Sequence, residues 1–170
     1  MSESSTKTKL QVLQFLSQNL RICVDIKYVD KVLPLVFLEA VPGGPLYLAG
    51  LMNLAGKSVP VIDLAMCFGL ERKSPYSLDA PILLCSDNLH QAGIIVEKIL
   101  GLSDIEENSI QMRSEFNKPE SPFIASITSK NKLSLLVNMP FILSVCLALE
   151  QANITVNNKL INMANHKYER

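Results

Sequence analysis

Few side chains in this 170-residue chain have the type and spacing that catalysis or metal binding requires. The histidines are His90 and His166, and neither lies at metal-ligand spacing from a cysteine or a carboxylate. The cysteines are Cys23, Cys67, Cys85 and Cys146. They stand far apart, without a C-x-x-C pair, inside apolar runs where a thiol behaves as a small hydrophobic side chain. We therefore expect four reduced core thiols, no metal site and no cofactor.

Sequence motifs of catalytic and nucleotide-binding proteins are also missing. The nucleophile elbow G-x-S-x-G, the P-loop and a G-x-G-x-x-G that opens a helix do not occur. The acidic pair Glu106-Glu107 lies in a polar run that starts at residue 103, which indicates a solvated loop or a first helical turn. Sixteen basic side chains balance sixteen acidic ones, and no segment concentrates lysine or arginine. We therefore predict no enzymatic activity, and we expect neither nucleic acid nor an anionic membrane surface as a partner.

Short β-type runs dominate the chain. Predicted strands cover residues 10–16, 20–24, 32–38, 59–62, 81–85, 91–96, 123–128 and 133–137. A segment at 50–64 has two glycines around a short run, which favours a strand, a tight turn with positive φ and a second strand. Asp63 is placed to cap a short helix that Gly69 ends, and Asn138 is placed to cap a helix from residue 139 to about residue 150.

The polar, proline-containing run 71–79 is predicted to link two halves, at about 10–70 and about 80–150. Three short patterns recur in order, roughly 70 residues apart, which indicates an internal duplication. They are S-x-N-L at 17 and 86, V-[DE]-K-[VI]-L at 29 and 96, and a strand followed by Asp or Asn at 57 and 132. Each half is too small to bury an apolar face alone, so the halves should share one core.

The two ends of the chain carry weaker signals. Residues 1–9 are rich in Ser, Thr and Lys and lack the apolar region of a signal peptide, so we expect a disordered N-terminus. Residues 151–170 are expected to form a partly helical tail. The longest apolar stretch, at 141–149, has about half the length that spans a bilayer. We therefore expect a cytoplasmic protein without direct membrane insertion.

The segment 50–64 resembles the signature G-x-x-N-L-R-G-x-x-x-P-V-x-D-L of the CheW family of chemotaxis coupling proteins. It matches every fixed position except one, where Ala55 replaces arginine. The run 93–99 is similar to the family's G-[IL]-x-V-D-x-V, with Glu97 in place of aspartate. The resemblance covers about residues 8–150.

This resemblance implies a mainly β fold in which two SH3-like five-stranded β-barrel subdomains share one hydrophobic core, with short helices and a C-terminal helix. It also implies a non-catalytic adaptor between chemoreceptors (methyl-accepting chemotaxis proteins) and a CheA-type histidine kinase. The receptor's cytoplasmic hairpin tip would bind in a groove between the barrels, and the kinase regulatory domain would bind the barrel ends through residues that the resemblance does not identify. The positions that it places at or near the receptor groove are Val29, Lys31, Gly50, Asn53, Leu54, Ala55 and Gly56.

Some of these positions have two interpretations. Asn53 suits a turn residue that bonds its own backbone at least as well as a partner contact, and Val29 suits the core as well as the groove. Typical family members have an acidic residue at the position of Lys31, paired with the arginine that Ala55 replaces. Losing one end of a partly buried pair would strand a charge at a cost of about 3 kcal/mol or more, whereas losing both is consistent with a tolerated fold whose surface has been reshaped. We therefore expect a divergent adaptor for a different receptor set, a pilus-type chemosensory pathway or another partner.

Two other classes of function stay open at this point. A small-barrel binding module for another protein or for nucleic acid would need, in the second case, a basic groove with stacking aromatics. Aromatic residues make up only 6% of the chain and Trp is absent, which disfavours nucleic acid. An enzyme such as a hydrolase would be indicated by an activity that is sensitive to substitution of His90.

Overall fold

A computed structural model describes residues 8–112, 114, 118 and 120–146 of the chain, and the fold in this part is mainly β. The strands are β1 (Lys9–Ser17), β2 (Leu20–Asp25), β3 (Val29–Leu33), β4 (Leu48–Leu54), β5 (Lys57–Ile62), β6 (Ile82–Ser86), β7 (Gln91–Ile95), β8 (Lys98–Glu106), β9 (Ile110–Gln111), β10 (Phe123–Ser129) and β11 (Lys132–Val137). Helix α1 spans Leu64–Cys67, and residues 139–146 are helical (α2). The predicted end of α2, the tail at 151–170 and most of the N-terminal stretch lie outside the described residues.

The strands form two sheets. One has six strands in the order β8-β1-β2-β11-β10-β9, and the other has five in the order β3-β6-β7-β5-β4. Neighbouring strands are antiparallel except for β2 beside β11 and β7 beside β5, which are parallel. The six-stranded sheet exceeds the predicted five because the two-residue strand β9 pairs with β10 at its edge.

Neither sheet is built from one half of the sequence. Hairpin β1–β2 joins strands of the second half, whereas hairpin β6–β7 joins strands of the first half. The recurring sequence patterns occupy equivalent places in the fold. The S-x-N-L patterns at 17 and 86 lie at the turns of hairpins β1–β2 and β6–β7. The strand patterns at 57 and 132 lie on β5, which pairs in parallel with β7, and on β11, which pairs in parallel with β2. The run 71–79 therefore separates the sequence repeats but not the sheets.

Three apolar clusters explain why the two sheets form one body. One lies inside the six-stranded sheet and includes Val12, Ile105 and Ile127, and a second lies inside the five-stranded sheet and includes Met52 and Ile82. Strands from near both edges of a sheet contribute to the same cluster, so each sheet curves around its interior as a small barrel. The third and largest cluster lies between the sheets.

This central cluster confirms the prediction of a shared core. Phe15 and Ile22 enter it from the six-stranded sheet, and Leu83 and Ile94 enter it from the five-stranded sheet. All four side chains are essentially inaccessible to solvent. Burying a side chain of this size contributes about 1.5–3 kcal/mol, and neither sheet alone could cover these residues.

Three hairpins reverse through two residues with positive φ, at 18–19, 55–56 and 130–131. Such turns match the right-handed twist of the flanking strands. The predicted helix caps are also confirmed. Asp63 accepts hydrogen bonds from the backbone N–H groups of Ala65 and Met66, and Asn138 accepts one from Phe141 at the start of α2.

One local prediction is wrong, and another is correct only in part. The predicted strand 32–38 lies instead at Val29–Leu33, and residues 34–38 belong to no strand. The acidic pair was predicted to lie in a solvated loop or a first helical turn. Glu107 does lie in the first turn of the short 3-10 helix Glu107–Ser109, whereas Glu106 ends strand β8. Pairing with β1 along almost its whole length overrides the polar composition, and Ile105 alone on this stretch is buried.

Candidate functional site

Five of the seven predicted site residues lie on one hairpin. Gly50, Asn53 and Leu54 belong to β4, and Ala55 and Gly56 form the turn to β5. The two turn residues have φ values of 52° and 84°, and Leu54 pairs with Lys57 across the turn. The sequence prediction of a strand, a tight positive-φ turn and a second strand is confirmed here. We call residues 48–62 the signature hairpin.

Asn53 stabilises the turn of the signature hairpin. Its side-chain Oδ1 accepts a hydrogen bond of 2.8 Å from the backbone N–H of Gly56. The side chain is exposed, and its amide NH2 group has no partner among the described residues. Asn53 is therefore a turn residue bonded to its own hairpin, and its amide is still accessible to a partner.

Gly50 holds another segment of the chain against β4. It is buried at a bulge in the β4–β5 pairing, and its φ of 151° is rarely adopted by residues with a side chain. A Cβ atom there would come within 2.8 Å of the Glu39 carbonyl oxygen and 2.9 Å of the Leu38 Cβ. Glu39 and Leu51 exchange two backbone hydrogen bonds of 2.8 Å beside it. The missing side chain at Gly50 lets this bridge form.

The bridge fixes the connection between β3 and β4, residues 34–47, which we call the crossover segment. Leu35 and Leu38 pack against the interior of the five-stranded sheet. Phe37 and Leu46 face solvent instead, with 87% and 78% of their surface exposed. Exposed apolar side chains indicate a contact surface where they form one patch. The bridge from Glu39 to Leu51 places Phe37 alongside the signature hairpin, whereas Leu46 lies two residues before β4, at the end away from the turn.

Val29 and Lys31 lie on β3, at the opposite edge of the sheet order from β4. Val29 is half-buried against the central cluster, and Lys31 is exposed. Between them the β3–β6 pairing has a bulge, where Asp30 accepts a 2.7 Å hydrogen bond from the Ser86 hydroxyl. No ion pair joins Lys31 to any residue in the described ranges. The structure thus groups five of the seven site residues on one hairpin and puts the other two on a different strand.

The predicted linker contributes to a buried polar network that sequence reasoning missed. Asp63 is completely buried, and its Oδ2 atom accepts hydrogen bonds of 3.1 Å from both Nε and Nη2 of Arg72. The Tyr76 hydroxyl donates to the same oxygen at 2.8 Å. The Arg72 guanidinium also lies 3.9 Å from the centre of the Tyr76 ring. A buried carboxylate requires a cation and several hydrogen-bond donors. A search for a cation near the helix cap Asp63 could therefore have found Arg72 from the sequence.

This network ties the start of α1 to the run 71–79. Burial, followed by the charge of Asp63, raises the pKa of the Tyr76 hydroxyl well above its ordinary value. Tyr76 therefore stays protonated and acts as a hydrogen-bond donor. Because every oxygen of Asp63 has protein donors, this carboxylate serves the fold and is unsuited to acid–base catalysis.

The remaining reactive groups that the structure describes also have structural roles. None of the four cysteines forms a disulfide, and burial raises the pKa of Cys23, Cys67 and Cys85 to about 12, so these three thiols are poor nucleophiles. His90 lies in the β6–β7 turn, where its ring hydrogen bond holds the pKa of the Asp87 carboxyl below its ordinary value. No group of three His, Cys, Asp or Glu side chains that could hold a metal occurs within the described ranges.

Helical segments in the described part of the chain are all too short or too polar to cross a bilayer.

Comparisons with known proteins agree on one family. A family model described as a CheW-like domain matches residues 11–146. The probable chemotaxis protein CheW of Rhizobium etli is 24% identical over 123 residues, which cover 72% of this chain and 79% of that protein. The chemotaxis protein CheW of Thermotoga maritima is 24% identical over 113 residues, which cover 65% of this chain and 72% of that protein. The crystal structure of the scaffolding protein TtCheW from Thermoanaerobacter tengcongensis is similar with a TM-score of 0.68 and 26% identity, over 77% of this chain and 90% of that one.

Proposed function

The chain belongs to the CheW-like family, and we propose that it acts as a non-catalytic adaptor that couples chemoreceptors to a CheA-type histidine kinase. The receptor's cytoplasmic hairpin tip would be one partner and the kinase regulatory domain the other. The coupling would take place in the cytoplasm and would serve chemotaxis or pilus-type chemosensory signalling.

The observation that carries this proposal is the surface formed by the signature hairpin and the crossover segment. Its turn is exposed, and the amide of Asn53 is available to a partner. The crossover segment, which bridges to β4 through Glu39 and Leu51, exposes the apolar side chains of Phe37 and Leu46. A surface that combines apolar anchors with polar donors suits a protein partner better than a small substrate, which would need a deeper cleft.

A binding role also accounts for the ionisable groups. Asp63 has an arginine, a tyrosine and two backbone N–H groups as partners, and the buried thiols stay protonated near neutral pH. These groups therefore stabilise the fold, and the exposed surface is left for recognition.

We assign receptor contact to the seven residues named from the sequence, with different roles. Leu54, Ala55 and the Asn53 amide would touch the receptor directly. Gly50 and Gly56 would act by fixing the backbone of the hairpin, since one is buried and the other permits the turn. Val29 and Lys31 would extend the contact from β3.

The pair Lys31 and Ala55 would set receptor specificity. Family members with an acidic residue and an arginine present two opposite charges where this chain presents one positive charge. We expect the double variant K31E/A55R to change affinity for receptor fragments at least threefold while changing the free energy of unfolding by less than about 1 kcal/mol, because both positions are exposed. A parallel measurement of binding and urea denaturation separates these two effects.

Titration of the purified protein against receptor cytoplasmic fragments and the kinase regulatory domain tests the proposal. Leu54→Ala should weaken receptor binding about tenfold, because apolar anchors dominate such contacts. The control is Leu102→Ala, which removes a 58% exposed leucine from the six-stranded sheet and should leave receptor affinity unchanged. Tight receptor binding that survives substitution of both Val29 and Leu54 would refute the groove assignment. Failure of the wild-type protein to bind either partner would refute the adaptor function.

A further inference from the structure

A second surface, on the six-stranded sheet, has the composition of an anion site. A cavity of about 180 Å³ opens at one end of this barrel. We call it the barrel mouth. Its charged lining residues are Arg21, Lys130 and Lys132, and none of the described residues that line it is acidic. Gln14, Ser103, Ser129 and Ser134 complete the lining.

Strand geometry explains why these polar side chains meet. Side chains two residues apart on a strand share one face of the sheet. Gln14 follows the interior residue Val12 by two positions, and Ser134 precedes the interior residue Leu136 by two. The polar residues therefore continue the apolar interior of the barrel towards the end where the turns at 18–19 and 130–131 lie.

Strand β8 adds little bulk to the barrel mouth. Its lining residue is Ser103. Gly101, which pairs with Gln14 across the β1–β8 ladder, adds no side chain, and a Cβ atom built there would meet nothing within 4 Å.

In the part of the chain that the structure describes, no acidic side chain neutralises the positive charge of the barrel mouth. Arg21 donates one hydrogen bond of 3.1 Å from Nη1 to the Gln14 side chain, which orients the guanidinium. Within the described ranges, no ion pair involves Arg21, Lys130 or Lys132. An arginine fork beside two ammonium groups matches the oxygen geometry and charge of a phosphate.

A serine hydroxyl in the same cavity adds a hydrogen-bond donor. Ser134 is only 2% exposed as a whole residue, but it lines the cavity, and its hydroxyl oxygen is not among the buried unsatisfied side-chain atoms of the described ranges. Its hydroxyl is therefore open to solvent in the cavity, where it can donate a hydrogen bond to an oxygen of a bound anion.

We propose that the barrel mouth binds a phosphate group, either as free phosphate or as part of a small phosphate monoester. Arg21 and the two lysines would hold its charge, and Ser134 would donate to one of its oxygens. A phosphate monoester carries close to two negative charges at neutral pH and three acceptor oxygens, which a single carboxylate does not offer. This site lies on the other sheet from the signature hairpin, so it is independent of the adaptor proposal.

Amide NMR spectra of the full chain, titrated with inorganic phosphate at constant ionic strength, test this site. We expect saturable shifts confined to the residues around 14, 21, 103 and 129–134. Arg21→Gln and Lys132→Gln should each weaken binding about tenfold, as expected for a lost charge-assisted hydrogen bond. Ser134→Ala should weaken it less but measurably. Lys9→Gln is the matched control, because Lys9 is an exposed lysine at the opposite end of β1.

Glycerol phosphate and acetate complete the experiment. Tighter binding of glycerol phosphate than of inorganic phosphate would identify a monoester as the ligand, and equal or weaker binding would identify free phosphate. Acetate should bind at least tenfold more weakly than either. The proposal is overturned if phosphate causes no saturable shifts at these residues, if acetate binds equally well, or if Lys9→Gln weakens binding as much as Lys132→Gln.

Discussion

Replacing Gly50 with alanine should destabilise the protein through two separable effects. The φ of 151° costs a residue with a side chain about 1–2 kcal/mol. The new Cβ would also approach the Glu39 carbonyl oxygen to 2.8 Å and the Leu38 Cβ to 2.9 Å, and neither atom lies at the end of a flexible side chain. Relief of this overlap costs about 1–3 kcal/mol. We expect a total loss of about 2–5 kcal/mol.

Gly101→Ala is the matched control for this experiment. Gly101 has a φ of 128°, but a Cβ there meets nothing within 4 Å, so only the backbone cost applies. Urea denaturation should therefore show Gly50→Ala to be about 2 kcal/mol more destabilising than Gly101→Ala. Equal destabilisation would show that the crossover segment does not pack tightly against β4. Receptor affinity should fall in Gly50→Ala alone, because only this substitution displaces the crossover segment.

Three further predictions concern the buried network, the thiols and the exposed apolar surface. Arg72→Met should lower the free energy of unfolding by about 3 kcal/mol in urea denaturation, because the buried Asp63 loses its cation; a change below 1 kcal/mol would contradict the network. The pKa of Cys23 and Cys85 rises from 9.0 to about 12 on folding, so the unfolded state ionises first and stability should fall as the pH rises from 9 to 12. Denaturation at pH 8 and pH 10.5 checks this, and a Cys23→Ala variant with an unchanged pH slope would refute it. Phe37→Ser should leave stability within about 0.5 kcal/mol, because the ring is exposed, while weakening receptor binding in the same titration as Leu54→Ala.

The sequence predicts best where local chemistry decides the structure. Asp63 and Asn138 cap helices because their side chains reach the first free N–H groups, and that depends on a few neighbouring residues only. The signature hairpin is equally local, since its turn needs positive φ at two adjacent positions. These features were predicted correctly from residue types alone.

Contacts between distant segments are what the sequence predicts poorly. Strand β8 carries polar residues that suggest a loop, and only its pairing with β1 makes it a strand. The exchange of hairpins between the sheets is likewise invisible in the sequence, although the repeats suggest a duplication. Arg72 lies in a run without periodicity, and its role depends on the distant burial of Asp63. The barrel mouth combines residues from five strands and a turn, so its cations are scattered along the chain.

Assembly of a three-component complex tests the adaptor role most directly. The full chain, a receptor cytoplasmic fragment and the kinase regulatory domain would be mixed in equal amounts and examined by sedimentation velocity. We predict one species that contains all three components, and its loss when the chain is omitted or when Leu54 is replaced by alanine. A mixture in which receptor fragment and kinase domain sediment separately in the presence of the wild-type chain would contradict the adaptor function.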